Sequence, residues 1–233
     1  MALYDPRPAR TLIRLHEQLP YPYLCEFGGA VLRVESGVFC PTLTNASSML
    51  LSCVDFRSGE RVLDVFSGTG AFGIVAAMRG SRAVTIDKSP VAVACAADNA
   101  WRNGVAAVVD VRLGDVTAPP GGNGLGAGDR FDLVIANPPL LPGEPRGALG
   151  AALFDPGLVA TRALIALLPN YLARGGRCYL ITSDVLERLG MRVERLCAAN
   201  GLFASLAAAW DLGYERYRVH RIVRGRSPAA EAG

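Results

Sequence analysis

Short apolar runs alternate with longer segments of helical character along most of the chain. Seven apolar runs predict strands at 61–66, 82–86, 108–113, 131–136, 177–182, 203–210 and 216–223. Helices are predicted at 71–78, 89–103, 158–172 and 185–200. This alternation favours an α/β fold, with a doubly wound, seven-stranded and mostly parallel sheet. The last two strands have no room for a crossover helix between them, so they predict an antiparallel C-terminal hairpin.

The segments outside this alternation suggest how the chain is divided. Residues 1–55 predict a short cap made of a helix at 9–18, a β-hairpin turning at Gly28-Gly29 and a second helix at 44–53. Residues 56–224 predict the main domain, and 225–233 a disordered tail. The stretch 119–128 is rich in proline and glycine. It predicts a mobile surface loop that cannot bury a face. We interpret this loop as a tolerated insertion rather than as a lid that gates a substrate.

Composition narrows the function classes. The 233 residues, 51% of them hydrophobic, are enough for one substantial core, and the net charge of +3 permits nucleic acid binding without implying it. The six cysteines show no C-x-x-C pair and no histidine at ligand spacing, which argues against a zinc site and favours buried packing roles. With no leader and no apolar run near 18 residues, we expect a cytoplasmic protein without a membrane span.

Isolated aromatic and histidine residues are predicted to have packing roles. His16 and His220 have no catalytic neighbours in the sequence, and Trp101 and Trp210 are predicted in the core or the cap.

Three acids follow three consecutive predicted strands. Asp64 ends the first strand and leads into a turn containing Phe66, Gly68 and Gly70, and Asp87 and Asp115 follow the next two. A carboxylate at the position of Asp87 can accept both hydrogens of a ribose diol, and Asp115 can receive the amine of an adenine. The alternative for each acid is a turn or helix-cap role. Phe66 stands where a dinucleotide-binding turn would have its first glycine, so a nucleoside carrying a cation fits better than a pyrophosphate.

Asn137-Pro138-Pro139-Leu140 comes directly after the apolar run 131–136. The two prolines remove two backbone donors and fix two φ angles, which leaves the Asn137 amide and the adjacent carbonyls as rigid acceptors at the strand end. A substrate N–H group suits such a site. The alternative is a turn that only ends the strand.

Together these motifs resemble the class I S-adenosylmethionine-dependent methyltransferases, and within them the small-domain enzymes that methylate nitrogen, such as release-factor glutamine methyltransferases and adenine or guanine N-methyltransferases. The resemblance rests on the run 64–70, Asp87, Gly114-Asp115 and the Asn-Pro-Pro motif, and it covers about 24–200. It implies a catalytic domain at 56–224 and S-adenosylmethionine as the cofactor.

The resemblance also implies roles for individual residues. The implied cofactor residues are Asp64, Phe66, Gly68, Gly70, Asp87, Lys88, Asp115, Val116 and Asn137. Asn137, Pro138, Pro139 and Leu140 would form the catalytic motif, with Asn137 Oδ1 and the Pro138 carbonyl accepting the substrate hydrogens. Asp64 is expected to favour the cationic sulfonium. Leu140 stands where the family has an aromatic residue, and Phe39, Pro41 and Phe154 are the expected substrate contacts.

Several acceptors remain open at this point. A protein or peptide side-chain amide or amine is the first hypothesis. The second is a nucleic-acid base, suggested by Tyr214, Tyr217 and the arginines at 216, 218, 221, 224 and 226. A small metabolite and a non-catalytic cofactor-binding module are the others, and the oligomeric state is not readable from the sequence.

Overall fold

The computed structural model describes residues 7–225, with side chains described from residue 10 onward. The predicted disordered tail, apart from Gly225, and the N-terminal residues used to judge a leader lie outside this range. None of the helices within it is long and apolar enough to cross a bilayer.

The chain begins with four elements: helix α1 (Arg7–Glu17), strands β1 (Tyr23–Phe27) and β2 (Ala30–Val34), and helix α2 (Asn45–Cys53). The two strands pair as an antiparallel hairpin. Its turn residues Gly28 and Gly29 have φ of 61° and 90°, the backbone that a tight two-residue turn requires.

A single mixed sheet follows within the described residues. Its strands are β3 (Arg61–Val65), β4 (Arg82–Asp87), β5 (Val109–Leu113), β6 (Phe131–Ala136), β7 (Leu172–Ser183), β8 (Leu202–Asp211) and β9 (Arg216–Arg224). They lie in the order β5-β4-β3-β6-β7-β9-β8, with parallel pairing up to β7 and antiparallel pairing of β9 with β7 and β8. The predicted seven-stranded, mostly parallel sheet with an antiparallel C-terminal hairpin is confirmed.

Helices cover both faces of this sheet. They are α3 (Ala71–Met78), α4 (Pro90–Arg102), α5 (Gly147–Leu153), α6 (Val159–Tyr171), α7 (Asp184–Arg188) and α8 (Val193–Ala199). On one face the hairpin, α2 and α3 share a core with alternate strand residues, where Phe27 meets Phe72 edge to face at 5.4 Å. On the other face α6 and α8 bury Leu164, Ile165 and Cys197 against the sheet. The hairpin and α2 therefore contribute residues to the first core.

Asn99 of α4 and Asn103, the residue that caps the end of this helix, attach the hairpin to the main domain. Asn99 Oδ1 accepts the Arg33 N–H at 2.7 Å and its Nδ2 donates to the Arg33 carbonyl at 2.9 Å. Asn103 forms the same pair of bonds with Val31, at 3.0 and 2.9 Å. The side chains satisfy a strand edge that would otherwise be open. This fixes the segment after β2, which leads to the functional site.

The prediction of one continuous helix at 185–200 is wrong, because the chain forms two helices, α7 and α8, with a break between them. The chain leaves α7 at Gly190, which has φ of 81°, and the Met191 N–H donates to the Leu186 carbonyl. A left-handed glycine with this reverse hydrogen bond ends a helix. Met191 is then buried against Leu158 and Leu186 before α8 begins, so the apolar residue that suggested a continuous helix packs into a break.

The segment 119–128 buries side chains, contrary to the prediction that it could not bury a face. Asn123 is fully buried; its Oδ1 accepts the Leu125 N–H at 3.0 Å and its Nδ2 donates to the Tyr171 hydroxyl at 3.4 Å. Leu125 joins the core beneath α6. A Cβ at Gly114 would lie 2.6 Å from the Asn123 backbone, so glycine is required for this close approach.

Trp101 contradicts the prediction that both tryptophans lie in the core or cap. It is 71% exposed near the end of α4, whereas Trp210 packs against the core as expected. The four cysteines Cys40, Cys95, Cys178 and Cys197 are buried, and Cys25 and Cys53 are half-buried.

His16 connects α1 to the segment after β2. Its Nδ1 donates to the Leu12 carbonyl at 2.9 Å, and its Nε2 accepts the Cys40 N–H at 3.0 Å. The ring also stacks on Phe39, with centroids 5.3 Å apart. A doubly protonated imidazole cannot accept the Cys40 N–H, so this arrangement requires neutral histidine. Burial lowers the pKa of His16 below its usual 6.5, and the Leu12 carbonyl opposes that shift.

We predict that His16→Leu costs about 1–3 kcal/mol of stability at pH 7.5, because the buried Cys40 N–H loses its acceptor. The folded-state pKa of His16 is lowered, so its stabilising contribution is complete above pH 6.5 and is lost as the pH falls. The difference in free energy of unfolding between wild type and variant should therefore shrink toward pH 5, as measured by urea denaturation. Comparing the two proteins cancels the titration of His220. A difference that stays constant or grows on acidification would contradict this prediction.

Candidate active site

The carboxyl ends of β3, β4 and β6 meet at one edge of the sheet because these strands run parallel. A cavity of about 410 Å³ opens at this edge. All of the sequence-predicted site residues line it except Asp64, Gly70 and Phe154. This is the position at which open α/β sheets bind ligands.

The turn after β3 forms the floor of the cavity. Phe66 has φ of 61°, a left-handed conformation that costs a non-glycine residue about 1–3 kcal/mol. Gly68 has φ of 53° and its N–H donates to Asp87 Oδ2 at 2.9 Å. Gly70 lies away from the cavity, where a Cβ would meet the Ala96 Cβ at 2.9 Å. This glycine therefore permits α3 and α4 to approach each other.

Asp87 is held rigidly at the end of β4. Its Oδ2 accepts the Gly68 N–H and its Oδ1 accepts the Ser89 N–H at 2.9 Å. Burial raises the pKa of Asp87, while the Ser89 and Gly68 N–H groups act in the opposite direction. Each carboxylate oxygen retains a lone pair for a further donor. Lys88 lines the same part of the wall, and Ser89 also caps α4 by accepting the Ala92 N–H.

The structure does not bring Asp64 to the cavity. Its side chain is buried below the turn, where Oδ2 accepts the Gly73 N–H at 2.9 Å. Burial raises the pKa of Asp64 to about 8, against the effect of the Gly73 N–H. The carboxyl is therefore mostly protonated at neutral pH, and the expectation that its charge favours a sulfonium has no geometric support.

Asp115 and Val116 line the cavity beyond β5. Asp115 Oδ1 accepts both the Thr117 N–H at 2.9 Å and the Thr117 hydroxyl at 2.7 Å. This is the turn role that the sequence left open as an alternative for this acid. Asp115 also lines the cavity, so its turn role does not exclude contact with a ligand.

The Asn137 amide is oriented by Ser47, which was not among the predicted site residues. Its Nδ2 donates to Ser47 Oγ at 3.1 Å, and Ser47 is buried on α2. Among the described residues Oδ1 accepts no hydrogen bond, which leaves it available to a ligand. Pro138 and Pro139 are buried in the cavity wall and Leu140 is half-buried. The predicted helix at 44–53, which contains Ser47, was a sequence signal for this contact.

The opposite wall differs from the expectation for Phe154. Phe39 and Pro41 line the cavity, but Phe154 lies outside it, against Gly143, where a Cβ would be 3.0 Å from its ring. The cavity is instead closed by small residues of α5, an element that the sequence did not predict; Ala148 and Ala151 are two of them. Small side chains there leave space for a substrate.

Glu215 and Tyr217 also line the cavity; Glu215 was not predicted, and Tyr217 was named only in support of a nucleic-acid acceptor. The Tyr217 hydroxyl donates to Glu215 Oε2 at 2.6 Å. No motif surrounds them in the sequence. They reach the cavity because β9 runs antiparallel and therefore starts at the edge where the parallel strands end.

Two of the arginines near the C-terminus, Arg216 and Arg218, form ion pairs within the chain. Arg216 contacts Asp211 at 2.8 Å and Arg218 contacts Glu187 at 2.6 Å. Arg224 donates to the Leu172 carbonyl at 3.0 Å, and Arg226 lies outside the described residues. These contacts reduce the positive charge available to a phosphate backbone.

Comparison with known proteins agrees with the fold and the cavity. A Release factor glutamine methyltransferase from Cereibacter sphaeroides is 33% identical over 183 residues, covering 72% of this chain and 60% of that protein. One from Xylella fastidiosa is 34% identical over 190 residues, covering 76% of this chain and 64% of that protein. The chain thus spans less than two thirds of the length of either relative.

A solved structure shares the fold at lower sequence identity. The T. thermophilus 16S rRNA N2 methyltransferase in complex with AdoMet and guanosine superimposes with a TM-score of 0.66 at 20% identity, covering 88% of this chain and 50% of that one. The sheet is therefore that of the Rossmann-like methyltransferases. The model of the family described as "Methyltransferase small domain" matches residues 30–192. This match covers most of the chain and confirms the resemblance, so the chain belongs to the methyltransferase small domain family.

Proposed function

We propose that this chain transfers a methyl group from S-adenosylmethionine to an amide or amine nitrogen, and that the acceptor is a glutamine-type side chain of a protein or peptide in the cytoplasm. The observation that carries the proposal is the Asn137 amide. Its nitrogen is held by Ser47, and its oxygen is left unpaired by the described residues beside a cavity at the carboxyl edge of the sheet. A fixed acceptor at this place suits an N–H substrate.

The residues at the cavity wall fit the cofactor. Asp87 presents a carboxylate whose remaining lone pairs suit a pair of ribose hydroxyls, and Asp115 faces the same space from the next strand. The Ser67 hydroxyl lies in the wall, buried and without a hydrogen-bond partner among the described residues. The cavity wall carries three acidic side chains, those of Asp87, Asp115 and Glu215, and one basic side chain, that of Lys88. This excess of acidic groups favours a cationic ligand.

In this proposal the chain contributes mainly position and polarity. When bound, S-adenosylmethionine supplies an electrophilic methyl group. Asn137 Oδ1 and the Pro138 carbonyl accept the two hydrogens of the substrate nitrogen, so that its lone pair is directed at the methyl group. Ser47 keeps the amide from rotating, which would present a donor in place of an acceptor. Small residues of α5 and the Phe39 ring line the cavity and exclude water from the reacting nitrogen.

The relatives support a protein acceptor over the other classes. The two most extensive sequence matches above are named as glutamine methyltransferases, and a Ribosomal protein uL3 glutamine methyltransferase from Bradyrhizobium diazoefficiens is 38% identical over 92 residues. A nucleic-acid base is the second candidate. The internal pairing of Arg216 and Arg218 weakens that alternative, because a phosphate contact would have to compete with carboxylates already in place.

We predict that the wild-type protein, incubated with tritiated-methyl S-adenosylmethionine and fractionated cell extract, transfers label to protein. The fixed amide acceptor and weak basic surface favour this fraction. The measurement is radioactivity after separation into protein, RNA and small molecules, with Asn137→Ala as the control for non-enzymatic label. Label confined to RNA or to the small-molecule pool would reject the protein acceptor while retaining the methyltransferase.

We predict that Asp87→Asn and Asp64→Asn, the same chemical change at two sites, differ in cofactor affinity. Asp87→Asn should raise the Kd for S-adenosylmethionine by about 10- to 100-fold, because a charged acceptor for hydroxyls is lost. Asp64→Asn should bind as the wild type does, since the asparagine oxygen can still accept the Gly73 N–H. Isothermal calorimetry measures both. Equal affinities for the two variants would refute this division of roles.

We predict that Ser47→Ala lowers kcat about 10-fold without changing cofactor affinity, because the Asn137 amide loses the partner that orients it. Asn137→Ala should lower kcat further, by about 10²- to 10⁴-fold. Ser48→Ala, on the same helix but exposed, is the matched control and should leave kcat unchanged. If Ser47→Ala and Ser48→Ala have the same kcat, Ser47 does not position the amide.

A further inference from the structure

The position of Glu215 assigns it to one end of the cavity. Along the carboxyl edge, Asp87 ends β4, the Gly68 turn follows β3 and Asn137 follows β6. β7 comes next, and Tyr217 at the start of β9 pairs with Ser183 at the end of β7. Glu215 therefore lies beyond Asn137, on the side away from Asp87. The nucleoside end is at Asp87, so Glu215 belongs to the substrate end.

The hydrogen bonding of Glu215 is incomplete. Its Oε2 accepts the Tyr217 hydroxyl at 2.6 Å, which fixes the carboxylate in place. Its Oε1 is buried and has no hydrogen-bond partner among the described residues. A buried, charged acceptor without a donor is unfavourable, and native structures seldom keep one without a reason.

The neighbouring cations do not satisfy this oxygen. Arg216 is engaged with Asp211 and Arg218 with Glu187, so each of these arginines already has a carboxylate partner. Lys88 lines the cavity at the other end, beside Asp87. None of the described residues supplies the missing donor, and Glu215 lines a cavity that a ligand can enter.

We propose that Glu215 determines specificity by binding a cationic side chain of the substrate, a lysine or arginine adjacent to the residue that is methylated. This inference rests on the proposed transfer to a protein or peptide side chain. A cation is favoured over a neutral donor because the cavity wall carries three carboxylates, those of Asp87, Asp115 and Glu215, against Lys88, and because burial strengthens the interaction between opposite charges. Tyr217 positions the carboxylate for this contact.

The test uses two pools of pentapeptides with a central glutamine. The pools are identical except that the residue after the glutamine is lysine in one and leucine in the other. Wild type and Glu215→Gln are compared by tritiated methyl transfer, with kcat and KM measured separately. Glutamine has the shape of glutamate and can still accept the Tyr217 hydroxyl, so the fold is retained, which thermal melting verifies. Glu26→Gln, exposed on β1, is the matched control.

The expected result is a preference of the wild type for the lysine pool of at least 10-fold in kcat/KM, carried by KM. Glu215→Gln should lose this preference, whereas Glu26→Gln should keep it, and cofactor affinity by calorimetry should be the same in all three. A purely structural role would lower transfer to both pools equally, and that outcome would overturn the inference.

Other results overturn it in distinguishable ways. If Glu215→Gln weakens cofactor binding 10-fold, the carboxylate serves the cofactor. If the wild type methylates a guanine-containing RNA oligonucleotide in a Glu215-dependent manner and neither peptide pool, the oxygen reads a base edge. Transfer to both pools without a preference rejects the inference and leaves the proposed function intact. Binding of the cofactor without transfer to either pool or to the oligonucleotide rejects the proposed function and, with it, this inference.

Discussion

The parallel register of β3, β4 and β6 is the constraint on which the site depends. Parallel strands end at the same edge, so the backbone groups and side chains that follow each strand converge without any direct link in the sequence. β9 brings the last part of the chain to this edge by running in the opposite direction. The cavity is thus assembled from the ends of strands, and its two ends reflect the order of strands in the sheet.

Burial gives chemically identical residues different roles at this edge. Asp64 and Asp87 each end a strand, but the first lies beneath the turn, with its pKa raised to about 8, and the second reaches the ligand space between two N–H groups. Asp115 combines a structural and a ligand-facing position, since it accepts the Thr117 N–H within its own turn and also lines the cavity. An acid after a strand therefore indicates the edge of the sheet, while the depth of its side chain decides whether it contacts a ligand.

The fold and part of the site could be predicted because they depend on local patterns. Alternating apolar runs predicted the sheet, and position after a strand brought Asp87 and Asn137 to the cavity. Contacts between distant segments could not be predicted: Ser47 meets Asn137 across 90 positions, and Glu215 arrives through the direction of β9. The helix break at Gly190 and the buried Asn123 loop were missed because propensity describes a segment alone, whereas tertiary packing determined both.

The hydrogen bond from Asn137 to Ser47 connects the carboxyl edge of the sheet to the N-terminal elements. Ser47 lies on α2, whose Ala46, Met49 and Leu50 are buried in the core shared by the hairpin and α3, so the orientation of the amide depends on packing that begins before the sheet. The same N-terminal region provides Phe39, held against His16 of α1. The residues before β3 thus complete the site physically, and changes that loosen them should affect transfer before they affect cofactor binding at Asp87, on the other side of the β3 turn.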